Sequence, residues 1–202
     1  QDVINKLSEL ELKFIIKIFG EEKDAARIAK NIVKFRNEKE IIKVKDLVEI
    51  IKKSKKKNYT SRINPCTKTF QALRIFVNKE ITELINGIIK ATKILKPGGK
   101  ILIVSFHSIE DKIVKYFFSN FSANKSKPSR YLPEYDDSTA ALFNDYKNEI
   151  FKPSQKEINQ NSRSRSAKMR YAIRSKNKFI HPTALKKKFK KYLELEAIDV
   201  KI

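Results

Sequence analysis

The sequence predicts an α/β fold, and three observations predict it. The run Ile101-Leu102-Ile103-Val104 is short, rich in β-branched residues and preceded by Gly98-Gly99, which reads as a strand buried on both faces in a parallel sheet. Before and after it, apolar residues recur at spacings of three and four, the mark of helices that bury one face. From Ala167 to Arg174 the pattern switches to alternation: Ala167, Met169, Tyr171 and Ile173 against Lys168, Arg170, Ala172 and Arg174, as in a half-exposed strand.

The first elements are helical. Ser8 with Glu11 is a capping-box pattern ahead of the apolar residues from Leu10 to Phe19, and Gly20 offers the left-handed conformation that stops a helix. Ala25, Ile28, Ala29, Ile32 and Val33 write a second helix, and Leu47, Val48, Ile50 and Ile51 a short third one that ends in Lys52-Lys53-Ser54-Lys55-Lys56-Lys57. After Pro65, Thr67 or Thr69 caps a helix carrying Phe70, Leu73 and Val77 inward. Ile81, Leu84, Ile85 and Ile88 continue the apolar face, so that one long helical segment connects two domains.

The strand then delivers Ser105, His107 and Ser108 at its carboxyl end, where parallel sheets place chemistry. Ser108 with Asp111 reads as a capping box opening a helix whose Ile109, Ile113, Tyr116 and Phe117 share a face. Beyond Phe121 a polar stretch with Pro128 and Pro133 is too long for an ordinary connection and is expected to be functional or mobile. An edge strand between Leu142 and Phe151, a short helix capped by Ser154 with Glu157, and a final helix capped by Thr183 with Leu185, Phe189, Tyr192 and Leu193 on one face complete the reading.

Composition narrows the partners. Across 202 residues, 45 Lys and Arg stand against 23 Asp and Glu, a formal charge of +22, well beyond what solubility requires. A polyanion is the physical inference, although nucleotide bias in the source genome also raises Lys, Asn and Ile together. The lysine run from Lys52 to Lys57 is either a solvated loop or, through Lys55, Lys56, Lys57 and their neighbours, a phosphate-contacting one. Arg163, Arg165, Lys168 and Arg170 form a second basic concentration, suited to phosphate or simply solvated. Cys66 is the sole cysteine, which excludes an internal disulfide framework and a cysteine metal cluster and fits a reducing, cytoplasmic compartment; no metal site is predicted. No apolar run approaches the roughly 20 residues of a membrane span, and no signal-peptide pattern opens the sequence.

Three ordered segments carry a resemblance. They are Leu95 to Asp111, with the core Ser105-Phe106-His107-Ser108-Ile109-Glu110-Asp111; Arg62-Ile63-Asn64-Pro65-Cys66-Thr67-Lys68-Thr69-Phe70-Gln71-Ala72-Leu73-Arg74, ending in Val77-Asn78; and Ser162-Arg163-Ser164-Arg165-Ser166-Ala167-Lys168-Met169-Arg170. Together they resemble the bacterial S-adenosylmethionine-dependent methyltransferases that modify the exocyclic N4 of a cytidine in small-subunit ribosomal RNA. The similarity runs from about Asp2 to Arg174. Asn64 stands where that family usually has His, Cys66 where it has a small residue, Lys68 for Arg and Ser162 for Pro.

The resemblance implies a partial Rossmann-like (class I) methyltransferase core with a helical inserted domain. Residues 1–77 would be the helical substrate-recognition domain, and residues 78–202 the C-terminal half of the core with a basic tail. The four glycines, Gly20, Gly87, Gly98 and Gly99, form no Gly-rich turn of the cofactor-binding kind. The S-adenosylmethionine motifs are therefore expected upstream of Gln1, and this chain alone is expected to be inactive. The implied partner is small-subunit ribosomal RNA or the ribosomal subunit.

Methylating an exocyclic amine needs the amine aimed at the methyl group and acceptors for its hydrogens. His107 leads as the group that contacts the base or its leaving proton; a capping histidine is the other reading. Ser105 and Ser108 are candidates for hydrogen bonds to base or cofactor, or else satisfy the strand-to-helix turn, and Glu110 and Asp111 favour the helix N-terminus. Arg62, Lys68 and Arg74 are assigned to RNA, with a surface salt bridge or the shaping of the domain junction as the alternative. Ring-carbon methylation would use a nucleophilic cysteine, but Cys66 lies where the family has a small, non-nucleophilic residue. Tyr131, Tyr135 and Phe143 are candidates for base stacking. A reading of a different class is a non-catalytic basic RNA-binding module.

Overall fold

The computed structural model describes residues 1–55, 64–124 and 141–200. In chain order its elements are α1 (Asp2–Lys6), α2 (Glu9–Phe19), α3 (Ala25–Glu38), α4 (Val44–Ser54), α5 (Thr67–Asn78), α6 (Glu80–Ile94), β1 (Lys100–Ser105), α7 (Ser108–Asn120), α8 (Gln155–Gln160), a 3-10 turn (Ser162–Ser166), β2 (Lys168–Ile173), α9 (Thr183–Lys188) and α10 (Lys190–Glu196). They divide into two compact units: Gln1–Thr82 with Lys190–Ile202, and Glu83–Phe189. Among the described residues no helix is long and apolar enough to cross a membrane.

The first unit is helical, and the capping signal of α2 works as read. Ser8 Oγ accepts the Glu11 amide at 3.3 Å while the Glu11 carboxylate accepts the Ser8 amide at 2.7 Å, closing the capping box of α2. Leu12, Ile15, Ile16 and Phe19 from α2 are buried, as are Ile28, Ala29 and Ile32 from α3 and Leu47, Ile50 and Ile51 from α4.

Gly20 is not left-handed; its φ is −91°. A Cβ there would lie 2.5 Å from the Lys68 carbonyl oxygen and 2.7 Å from that of Ile16, so the glycine serves the close approach of the chain entering α5.

The inward face of α5 also differs from the expected one. Thr69, Ala72, Ile75 and Phe76 are buried, Phe70 and Leu73 are half-buried, and Val77 is 61% exposed. Small residues at 69 and 72 admit a close neighbour, and α5 packs on α2. Nor is the segment one long helix, because Lys79 turns left-handed (φ 51°) and separates α5 from α6. The Glu196 carboxylate of α10 then caps α6, accepting the amides of Ile81 at 2.9 Å and Thr82 at 2.8 Å.

In the second unit β1 and β2 form an antiparallel pair, Lys100 opposite Ile173 and Ser105 opposite Lys168. The expected burial of β1 on both faces of a parallel sheet is not met among the described residues. Leu102 is 57% and Val104 50% exposed. The alternation of β2 is present but inverted: Arg170 and Ala172, with Arg174 just beyond, form the buried side, while Met169, Tyr171 and Ile173 are half-buried. Helix α7 covers the β1–β2 pair with Ile109, Ile113, Val114, Phe117 and Phe118 buried.

Residues Leu142 to Phe151 are not a strand. Phe143 makes single bridges to Ser122 and Arg174, Phe151 makes one to Met169, and Asn148 has a φ of 56° that breaks any continuous extension. Phe143 anchors this segment instead, meeting Phe117 and Phe118 edge-on at ring distances of 5.3 and 5.2 Å. It is fully buried and so not a stacking platform. Ser154 caps α8 as expected, accepting the Glu157 amide at 3.2 Å. The expected final helix is two, α9 and α10, with Pro182 rather than Thr183 at the cap position of the first. Pro128, Tyr131, Pro133 and Tyr135 lie outside the described residues.

Candidate functional site

Extended backbone continues past the end of β1 and stops at His107 (φ −138°, ψ 164°), so the helix begins one residue earlier than a Ser108 cap would place it. The capping box is accordingly His107 with Glu110, not Ser108 with Asp111. His107 Nδ1 accepts the Glu110 amide at 3.4 Å, and the Glu110 carboxylate accepts the amides of Phe106 at 2.8 Å and His107 at 3.3 Å. As acceptor at Nδ1, the neutral ring carries its proton on Nε2, which lies 3.4 Å from Glu110 Oε1. The imidazole is only 5% exposed. On either side of it in the chain, Phe106 (53% exposed) and Ser108 face outward.

Ser105 is buried, its hydroxyl donating to the Lys168 carbonyl at 3.2 Å across the strand pair. Asp111, released from the cap, receives Arg170 through Nε at 2.6 Å and Nη2 at 3.3 Å, and Lys168 Nζ at 3.1 Å. Arg170 also donates to the Tyr146 hydroxyl at 3.0 Å and to Asn148 Oδ1 at 2.9 Å. Burial works to raise the Asp111 pKa, but the hydrogen bonds and charges of Arg170 and Lys168 outweigh it and hold the carboxyl below its usual range. Burial opposes the Arg170 charge, and the Asp111 and Tyr146 contacts more than restore it. Burial raises the Tyr146 phenol.

Ser105, Lys168 and Arg170 thus stand toward the end of the β1–β2 pair that His107 and Ser108 follow in the chain. Exposed Arg163 and Arg165 sit on the 3-10 turn just before β2. Arg170 is committed to Asp111, Tyr146 and Asn148.

The remaining basic candidates belong to the other unit. Lys55 is buried in an ion pair with the Glu22 carboxylate rather than solvated, whereas Lys52 and Lys53 are exposed. Lys68 donates to the Glu21 carbonyl at 3.1 Å, and Arg74 grips Glu80 with bonds of 2.7 and 3.0 Å. Lys56, Lys57 and Arg62 lie outside the described residues. Cys66 is buried, and that burial pushes its thiol pKa up despite Lys52 and Lys55, the reverse of what a nucleophile needs.

Sequence reasoning missed Phe106 and the Tyr146–Asn148 support of Arg170. The first was readable, because Phe106 extends the alternation Leu102, Val104; the second depends on partners more than 20 positions apart.

The sequence model of the MraW methylase family matches residues 1–175. The chain belongs to the MraW methylase family. The ribosomal RNA small subunit methyltransferase H of Bartonella quintana (strain Toulouse) is 45% identical over 174 residues, covering 86% of this chain and 52% of that protein. The proteins of the same name from Parvibaculum lavamentivorans and Caulobacter vibrioides are 40% and 37% identical over 86% of this chain, which covers 51% and 56% of them. The chain therefore spans about half the length of the curated relatives it matches. The family match contains both strands, α7 and the Asp111–Arg170 pair.

Proposed function

We propose that this chain supplies the substrate-facing part of an S-adenosylmethionine-dependent methyltransferase that modifies the exocyclic N4 of a cytidine in small-subunit ribosomal RNA. One observation carries the reading: inside the family match, the junction Ser105–Asp111 is built as a rigid turn that presents Phe106 and Ser108 around a buried, bonded His107. The Phe106 ring offers a stacking face for a base taken out of its helix, and the Ser108 hydroxyl a hydrogen bond to that base's edge. His107 acts as a positioning residue, because Nδ1 is engaged by the Glu110 amide and the cap fixes the residues on both sides. Arg163, Arg165 and Lys168 address phosphates beside this site, and residues 1–77 form the helical substrate-recognition domain.

The described residues do not fit the methyl donor. The one adjacent glycine pair, Gly98-Gly99, is closed by backbone bonds to Arg174 of 2.9 and 2.8 Å, and Gly20 is pressed against the Lys68 carbonyl. Donor binding is assigned to sequence beyond these residues, with residues 78–202 as the C-terminal half of a Rossmann-like core. The exposed Leu102 and Val104 on β1 support that assignment, since a strand inside a larger sheet buries such residues. The enzyme would work in the cytoplasm on ribosomal RNA or the ribosomal subunit.

Isothermal titration tests the division of labour. This chain alone is expected to show no specific S-adenosylmethionine binding, and micromolar binding would refute it. The charge of +22 favours a second reading, a non-catalytic basic RNA-binding module. That reading gains if the chain, extended to its relatives' length, binds RNA but still no donor.

A further inference from the structure

Two buried arginines stand four positions apart, one in β2 and one just beyond it, and among the described residues only one has a counter-charge. Arg170 has Asp111. Arg174, four positions on and 5% exposed, donates through Nη1 to the Leu142 carbonyl at 2.9 Å and to the carbonyl and hydroxyl oxygens of Ser175 at 3.1 and 3.0 Å. Through Nη2 it donates to the Asn177 carbonyl at 2.8 Å. All of these acceptors are neutral. Among the described residues no carboxylate pairs with Arg174, and its buried Nε has no hydrogen-bond partner. A buried cation normally has a compensating anion.

Arg174 lines a cavity of about 410 Å³, a volume typical of small-molecule pockets. Gly98, Asn144, Ser175, Lys176 and Asn177 share its wall. Lys176 is exposed and supplies a second positive charge. The cavity adjoins the Gly98 turn before β1, while His107 follows the other end of that strand. Six strand residues separate them, on the order of 20 Å at about 3.3 Å per residue. The cavity is therefore not part of the candidate methyl-transfer site.

We propose that this cavity is a binding site for a phosphate group, held by Lys176 and the side-chain amide of Asn144 over the buried guanidinium of Arg174. Two cations and an amide match the double charge and several oxygens of phosphate better than the single charge of a carboxylate. The site does not depend on the methyl-transfer reading.

The test is a proton–nitrogen NMR titration of the labelled chain that follows the Arg174 Nε–H resonance. Inorganic phosphate and a short RNA lacking terminal phosphates are the two probes, with chloride at matched ionic strength as the control. A saturable shift with phosphate assigns a free phosphate or phosphomonoester, and one with the RNA assigns a backbone phosphodiester. Because Arg174 also holds its own loop together, the variant is Lys176→Gln, which should remain folded and bind the effective probe about tenfold more weakly. No shift with either probe, an equal shift with chloride, or wild-type affinity in Lys176→Gln overturns the proposal.

Discussion

Asp111 holds Arg170 and Lys168 on one carboxylate whose side chain is 13% exposed, and this ties its protonation to the stability of the second unit. Its folded pKa lies below the ordinary carboxylate value of about 3.9. Its contribution is therefore fully present above that value and is lost as pH falls through the lowered folded pKa. Asp111→Asn leaves Arg170 buried without its counter-charge and should cost about 3–5 kcal/mol in urea unfolding at pH 7. The difference from wild type should shrink as the pH drops below that window; a cost that persists unchanged in acid would show that the pair's charge is not its source. Neither this pair nor the His107 cap could be read locally. Ser108 with Asp111 has the capping spacing, but the extended backbone that follows the pairing of Ser105 with Lys168 ends at His107, one residue earlier, and gives the cap to His107 and Glu110.

Among the elements, those written by neighbouring residues were legible. The Ser8–Glu11 box, the buried faces of α3 and α4, and the Ser154 cap follow from contacts three or four positions apart. Elements decided by distant partners were not. The face of α5 is chosen by its packing on α2, the bridges of Phe143 and Phe151 replace a strand, and β2 buries its arginines because Asp111 and the Leu142 and Asn177 carbonyls wait for them. β1 gives the clearest element-scale prediction. Leu102→Thr and Val104→Thr remove methyl groups that are already exposed, so each should change the chain's unfolding free energy by no more than about 0.5 kcal/mol. Ile109→Ala, in the fully buried face of α7, should cost about 2–5 kcal/mol in the same denaturant titration. Costs of similar size for β1 and α7 would mean that the outer face of β1 is already packed in this chain.

At the scale of the whole molecule, the charge of +22 is divided between cations that hold the fold and cations that face solvent. Lys55 and Arg170 belong to the first group, and Lys52, Lys53, Arg163 and Arg165 to the second. Replacing the latter four with Gln should weaken RNA binding and reduce its log–log salt slope by about 0.7–0.9 for each phosphate that is no longer neutralised. Lys55→Gln should lower stability and leave the slope in place; an unchanged slope in the fourfold variant would remove these residues from the interface. The family was legible from three ordered segments, whereas the antiparallel pairing of β1 with β2 and the partition of charge required the fold. The central claim concerns the atom that is methylated. The polypeptide extended to its relatives' length should be incubated with S-adenosylmethionine and small ribosomal subunits or their RNA, and the RNA digested to nucleosides for mass spectrometry. N4-methylcytidine from a single cytidine is the expected product; C5-methylcytidine, or no new methylated nucleoside from a folded, donor-binding protein, would contradict the claim.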